Sequence, residues 1–323
     1  MCKFIGIDIS KQTFDSAFEK ENKKWKQTSY EYTSDGMCSF YENLPEGERA
    51  ILMEATGTYY LKLAYFLYEK GEKVAIVNPL KIRRFAQMRF ERVKTDKADS
   101  RIIASFGQSE VLKFWEPLEE HIINIRQISS VMERLVKDRT AWQNKKEALE
   151  NDIKHSLVAM LEIDEMIAYI TKKLNDMENK LDQLINDHFE DENKIIRSIP
   201  GIGPKTAIIL LALTNGFTRF DTYKQFIAYI GLSPRIYDSG TIKGKAHICK
   251  IGMGRARQLL YMAARAASKY NIACRLLYER LLAKGKAKKL ALIAVANKLV
   301  KQAFAMVSKN EFYSENYAKQ FGF

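Results

Sequence analysis

Residues 49–77, RAILMEATGTYYLKLAYFLYEKGEKVAIV, leave a chain little freedom in fold class. Short apolar runs of strand length stand at both ends. Between them lie a turn and an amphipathic helical pattern that stops at Gly71. Strand, helix and strand in that order require a crossover, hence parallel pairing and an α/β sheet. Upstream, KFIGIDIS, TFDSAFEK and KWKQTSY read as three successive strands separated by turn residues. The sheet is therefore expected to be mixed, with an antiparallel meander on one side.

Asp8 interrupts the first of these strands, among Phe4, Ile5, Ile7 and Ile9. A carboxylate buried there without a partner costs several kcal/mol or takes up a proton. Three more carboxylates stand where elements begin or end. Glu54 closes the run Ala50 to Met53 ahead of the Gly57 turn, and Asp96 and Asp99 sit three apart in VKTDKADSRIIASF. If Ile102, Ile103 and Phe106 continue that stretch as a helix, both aspartates share one face at its start. Taken alone, the pair is explained by the helix dipole. Taken together, the four predict a convergence at one sheet edge that cannot stay ionised without cations. Two Mg²⁺ ions about 4 Å apart, with Mn²⁺ as a substitute, would satisfy them and form the clamp used for in-line phosphoryl displacement.

Between the sheet and the acidic helix, KIRRFAQMRFERVK carries Lys81, Arg83, Arg84, Arg89, Arg92 and Lys94 against a single acid, Glu91, with Phe85 and Phe90 interleaved. Cations with aromatics suit a nucleic-acid strand running beside the metal site, and a solvated helix face is the plainer alternative. The distribution of charge points the same way. Residues 1–118 hold 19 basic and 17 acidic side chains, residues 119–192 hold 10 and 17, and residues 193–323 hold 23 and 5. The excess of the last third repels itself unless a polyanion neutralises it, and a solubilising basic surface is the plainer alternative.

Residues 119–192 read as helical, and no proline falls between Pro117 and Pro200. Ile163, Ile167, Ile170, Leu174, Met177, Leu181 and Leu184 recur at spacings of three and four. Ile125, Ile128, Met132, Leu135, Trp142 and Leu149 continue the seam upstream with interruptions at Arg139 and Lys146. Two long helices in an antiparallel or intermolecular coiled coil are expected, as an architectural arm without chemistry. In SIPGIGPKTAIILLAL, Pro200, Gly201, Gly203 and Pro204 make a tight turn before an apolar helix. It is similar to the hairpin of helix-hairpin-helix modules, where backbone N–H groups face a DNA phosphate; an ordinary glycine turn between packed helices is the alternative. Residues 233–254, with Gly240, Gly244, Gly252 and Gly254, read as a shaped loop, and the rest as mostly helical.

The four cysteines, Cys2, Cys38, Cys249 and Cys274, are scattered without a C-x-x-C pair, which suits reduced thiols in a cytoplasm. The dispersed histidines offer no metal site. No signal peptide and no apolar run long enough for a membrane span are read from the sequence.

IGIDISKQTFD, MEATGTYY, and NPLKIRRFA followed by KTDKADSRIIA resemble the DEDD-type transposases of bacterial insertion sequences, relatives of the Piv and MooV invertases. SIPGIGPKTA, FIAYIGLSPR and SGTIKGKAHICKIGMGRARQLLYMAA resemble the second domain of that family, so the likeness covers nearly the whole chain in order. The resemblance implies an RNase H-like, RuvC-like α/β domain over 1–118, a coiled-coil arm over 119–192 and a mainly helical transposase domain over 193–323. It puts the metal-binding set on Asp8, Glu54, Asp96 and Asp99 and a nucleophilic serine on Ser239. It further implies donor and target DNA as partners, a structured bridge RNA as guide, dimers assembling to a tetramer, and a place in the bacterial cytoplasm at the nucleoid. One departure is visible: Cys249 stands where a serine is usual in this motif.

A serine hydroxyl is a weak nucleophile until its proton is removed or polarised, and the Mg²⁺ pair could supply that activation. Gly240 permits close backbone approach, Lys243 and Lys245 could hold flanking phosphates, and Arg255 and Arg257 follow in the same basic segment. A covalent phosphoserine would let strands be exchanged and resealed without ATP. Two readings compete with this one. A RuvC-type Holliday-junction nuclease would use the same carboxylates with water as nucleophile, and a transposase remnant would bind nucleic acid without cutting it.

Overall fold

A computed structural model describes residues 2–90, 95–235, 238–239, 242–243, 247–249 and 251–315. At residues 96, 97, 235, 238, 239, 242, 243 and 247 it describes the backbone only. The chain divides into two compact units, Met1–Leu118 and Glu119–Phe323.

The first unit runs β1 (Lys3–Ile9), β2 (Thr13–Glu19), β3 (Trp25–Glu31), α1 (Ser34–Glu42), β4 (Arg49–Glu54), α2 (Tyr60–Glu69), β5 (Val74–Val77), α3 (Pro79–Met88) and α4 (Asp96–Ser109). Its five strands form one mixed sheet in the order β3-β2-β1-β4-β5. The meander β1-β2-β3 is antiparallel, and β1-β4-β5 are parallel, joined through the crossover helices. Alternation along the strands fills both faces. On one face Ile5, Ile7, Phe14, Ile51 and Met53 pack against Met37 and Phe40 of α1 and Leu63 and Leu67 of α2. On the other, Leu52, Ala75 and Val77 pack against Ile82 and Phe85 of α3 and Ile102, Ile103 and Phe106 of α4. The edge at β5 is partly closed by the following chain, where the Trp115 amide donates to the Val74 carbonyl at 2.7 Å.

The second unit is helical. It contains α5 (Glu120–Glu150), α6 (Leu157–Arg197), α7 (Pro204–Thr214), α8 (Tyr223–Ile230), the two-residue strands β6 (Pro234–Arg235), β7 (Asp238–Ser239), β8 (Ile242–Lys243) and β9 (His247–Ile248), and then α9 (Gly254–Tyr270), α10 (Ile272–Ala283) and α11 (Lys288–Lys309). α5 and α6 lie against one another. Ile163, Ile170, Leu174, Leu181 and Ile185 are buried along α6, and Ile122 and Ile125 near the start of α5. Farther out, Trp142 of that seam is exposed, as are Leu157, Val158, Leu161 and Tyr169, which lie outside it. Helical geometry breaks once within α6, at Phe189 (φ −145°, ψ 33°). There the His121 and His188 rings stack at 4.1 Å beside Phe189, and Glu119 lies 3.6 Å from His121 Nδ1.

The core of this unit is built around α7, whose face-to-face apolarity suits burial on nearly every side. Leu210, Leu211, Phe226, Leu260, Ala264, Val295 and Leu299 are fully enclosed. Among the described residues one helix, α11, is long and apolar enough to cross a membrane by length and composition. Here its Ala291, Val295, Ala296, Leu299, Val300 and Ala303 are core side chains.

Candidate active site

Because Ile5, Ile7 and Ile9 point toward α1 and α2, Phe4, Gly6 and Asp8 of β1 face α4. Gly6 is the point of contact. A Cβ built there would lie 2.1 Å from the Ser100 carbonyl oxygen and 2.3 Å from the Ala104 nitrogen, so only glycine lets α4 settle onto the strand. Gly107 repeats the device, seated on Leu52 and Phe4, where a Cβ would meet side-chain carbons at 2.8–2.9 Å. With Gly107 over Phe4 and Ser100 over Gly6, α4 runs opposite to β1, and its first turn arrives at the end of β1 that carries Asp8.

Glu54 joins them through strand register. Ile7 is level with Met53 in the parallel β1–β4 pair, so Asp8 and Glu54 follow on adjacent strands at the same end. Leu52 packs toward α3 and α4, and Glu54, two residues on, shares that face. Asp8, Glu54 and Asp99 are half-buried. Glu54 accepts a hydrogen bond from Thr56 Oγ1 at 3.2 Å, and neither Asp8 nor Asp99 stands without an interacting neighbour. The start of α4 is capped by Thr95, whose Oγ1 accepts from the Ala98 amide at 3.2 Å. Capping is therefore done by the threonine, and the two aspartates are not needed for it.

One carboxylate in this neighbourhood was not singled out from the sequence. Asp15, level with Asp8 across the β1–β2 ladder, is 8% exposed and also has interacting neighbours. The signal was present in TFDSAFE, where Asp15 falls in phase with Asp8. It becomes meaningful only once α4 is known to cover that part of the sheet, since a polar residue in a meander otherwise reads as solvent-facing.

An all-carboxylate set fits hard, oxygen-seeking cations of the Mg²⁺ type and does not suit soft metals. Among the described residues no three His, Cys, Asp or Glu side chains are gathered closely enough to hold one ion, and the Asp96 side chain lies outside the described residues.

The basic helix beside this end is α3. Asn78 caps it by accepting from the Leu80 amide at 2.9 Å, Ile82 and Phe85 anchor its inner face, and Lys81, Arg83, Arg84 and Arg89 are exposed. The Arg89 guanidinium lies over the Phe85 ring at 5.1 Å. Arg92 and Lys94 lie outside the described residues.

In the second unit the backbone places Ser239 on β7, level with Ile242 of β8, with Asp238 level with Lys243. Lys245 lies outside the described residues. The loop holding this hairpin is rooted by close main-chain contact. Gly231 (φ +77°) and Gly252 (φ +128°) each sit where a Cβ would be 2.3 Å from a carbonyl oxygen, that of Ile251 and that of Tyr229 respectively. Arg257 Nη1 donates to the Ile230 carbonyl at 2.8 Å, and the Cys249 amide to the Ser233 carbonyl at 2.9 Å. Arg255 is also engaged, with Nε 2.7 Å from Glu133 Oε1 and Nη1 donating to Gln258 Oε1 at 2.9 Å. These two arginines serve internal contacts that charge counting did not reveal. In the PGIGP turn, Gly201 (φ +106°) packs on α9, where a Cβ would be 2.7 Å from Ala267 Cβ. Gly203, which precedes α7, faces open space.

Two family models match the chain: a transposase model of the DEDD, IS110 type over residues 5–151, and a model described as transposase IS116/IS110/IS902 family over residues 193–279. Among similar proteins, the pilin gene-inverting protein of Moraxella bovis is 30% identical over 321 residues, covering 95% of this chain and 96% of its own. That of Moraxella lacunata gives the same figures. The transposase for insertion sequence element IS1111A of Coxiella burnetii is 24% identical over 345 residues, covering 96% and 91%.

Proposed function

The chain belongs to the IS110/IS116/IS902 family of transposases, enzymes of DNA rearrangement, and from that premise we propose how it cuts and rejoins DNA. The observation that carries the proposal is the arrival of Asp8, Glu54 and the first turn of α4 at one end of one sheet face. Asp8, Glu54, Asp96 and Asp99 would hold two divalent ions, Mg²⁺ by preference and Mn²⁺ as substitute. When bound, such ions neutralise charge on the reacting phosphoryl group and make a nearby hydroxyl more acidic.

Ser239 is the nucleophile in this scheme. Its Oγ forms a bond to phosphorus as the bond from phosphorus to the leaving sugar oxygen breaks, and the serine proton passes to that oxygen. The phosphodiester becomes a phosphoserine ester, so no bond energy is dissipated. A sugar hydroxyl from another strand reverses the exchange and frees the serine. The hairpin bearing Ser239, from this copy or another, has to reach the acidic end of the sheet for this to happen. Lys81, Arg83 and Arg84 on the outer face of α3 track the DNA backbone beside the carboxylates, and Arg89, Arg92 and Lys94 continue that path. Lys243 and Lys245 would hold the flanking phosphates. Arg255 and Arg257 contribute by holding the loop, through Glu133 and the Ile230 carbonyl.

The mixed sheet with α4 against β1 is the arrangement expected of an RNase H-like, RuvC-like domain over residues 1–118, and the paired α5 and α6 of a coiled-coil arm over 119–192, with the transposase domain following over 193–323. The exposed apolar side chains at the far end of the arm support assembly into dimers and tetramers. Pairing of an element-encoded bridge RNA with donor and target DNA would supply the choice of site.

Incubating the native chain with its element ends and Mg²⁺, then denaturing, is expected to trap a protein–DNA adduct that Ser239→Ala does not form. An adduct formed equally by Ser239→Ala would remove the serine from this role. Free nicked ends without any adduct would favour hydrolysis by water.

A further inference from the structure

At the sheet edge a cavity of about 130 Å³ opens between β3, α3 and α4, lined by Trp25, Phe85, Arg89, Arg101, Ile102 and Ser105. It is distinct from the carboxylate end. At 100° per residue, Arg101 and Ser105 project from the opposite side of α4 to Asp99.

Its chemistry is unusual for a gap between packed elements. Arg101 is half-buried, yet among the described residues it has neither an ion-pair nor a hydrogen-bond partner. Arg89 is held in place, stacked on Phe85 at 5.1 Å with Nη2 donating to Ser109 Oγ at 3.3 Å. Trp25 is half-buried on the edge strand, and its ring stacks on no other aromatic among the described residues. The acid level with it in the ladder, Glu19, is occupied by Gln108 Nε2 at 3.0 Å. Two guanidinium groups therefore face a cavity walled in part by a half-buried indole that no other aromatic ring stacks on among the described residues. The space is well below the roughly 300 Å³ at which pockets for whole small molecules begin, so it suits one part of a larger ligand.

We propose that this cavity receives one unpaired nucleotide of a single strand, with the base against the Trp25 indole and the phosphate between Arg89 and Arg101. The ligand class rests on the nucleic-acid reading above. What it adds is recognition of unpaired strand, which any exchange of strands must expose. Displaced DNA and guide RNA offer the same base-plus-phosphate chemistry.

The test uses the full chain and three labelled probes of one sequence: intact duplex, the duplex with a short single-stranded gap, and single-stranded RNA. Trp25→Ala and Arg101→Gln are each expected to weaken binding to a single-stranded probe about tenfold while leaving intact duplex unchanged. Trp25→Phe, which keeps a stacking face, should restore most of the loss. Arg101→Gln should also reduce the slope of log affinity against log salt by about 0.7 on a single strand. Loss on the gapped DNA identifies a DNA strand as occupant, and loss on the RNA identifies RNA. Native-like binding of both single-stranded probes by Trp25→Ala and Arg101→Gln would overturn the proposal while leaving duplex binding, and the recombinase reading, intact. A native chain that binds none of the three probes would overturn both.

Discussion

Asp8 and Ser239 stand on opposite kinds of support. Asp8 belongs to a seven-residue strand paired on both sides and covered by a helix whose main chain touches it at Gly6. Ser239 belongs to a two-residue strand with a two-residue partner, in a loop secured at its roots by Gly231, Gly252 and Arg257. An isolated two-stranded ribbon is marginal in water, whereas a central strand under a helix is among the most rigid places in a fold. In the proposed chemistry the carboxylate side thus rests on a long, doubly paired strand and the serine side on a two-residue ribbon.

That contrast can be broken most directly at the carboxylates. Asp8→Ala is expected to lower strand cleavage by about 10³-fold or more, since several kcal/mol of charge stabilisation would go with the ions proposed for it. The native chain should gain thermal stability on adding Mg²⁺, measured by calorimetry, and the variant should not. A variant that keeps both the Mg²⁺-dependent stabilisation and cleavage would show that Asp8 has no part in the site.

The next comparison sets one glycine against another. Gly6→Val forces α4 away from β1 and is expected to cost about 3 kcal/mol, with loss of the Mg²⁺ response. Gly231→Ala strains a left-handed residue against the Ile251 carbonyl, for about 1–3 kcal/mol. It should leave the Mg²⁺ response of the first unit intact while adduct formation falls. Denaturant melts of both variants, read beside Mg²⁺ titrations, separate damage at the sheet from damage at the serine-bearing loop.

A smaller effect is expected from pH at the root of the arm. Burial first, and then the neighbouring His188, hold the His121 imidazole below its usual 6.5 against the opposing pull of Glu119. A histidine whose folded pKa is lowered binds its proton better when unfolded. Its contribution is therefore complete above the unfolded value and is lost as pH falls through 6.5 toward the folded one. The melting temperature of the second unit should drop over that interval, and His121→Phe, which keeps the stacked ring, should flatten the drop. Smallest of all, Cys274 should resist alkylation in the folded chain at neutral pH, because burial pushes its thiol up to about 12.

How much of this was legible beforehand depended on whether a feature is local. Period-two alternation and the Gly71 stop marked the strands and the crossover, and the mixed sheet followed. Asp8 and Glu54 stood out because a charge at the end of an apolar run needs only its own neighbours to be noticed. α1 was missed because Gly36 and a polar start disguise it; the glycine is there so that the helix can sit against the Glu31 carbonyl, 2.1 Å from where a Cβ would be. Arg255 was legible as a charge but not as a partner of Glu133, which lies in a different helix. Asp15, Trp25 and Arg101 acquire meaning only from elements distant in sequence. The break at Phe189 has no signature in the residues around it.

Main chain resting on main chain at Gly6 and Ser100 acts as a ruler. Repacking the apolar layers can soften or stiffen the first unit, but it cannot shorten an interval that is already at closest approach. At the proposed ion site, a change of ion preference is therefore expected to come from the length of the acids themselves, by exchanging aspartate for glutamate.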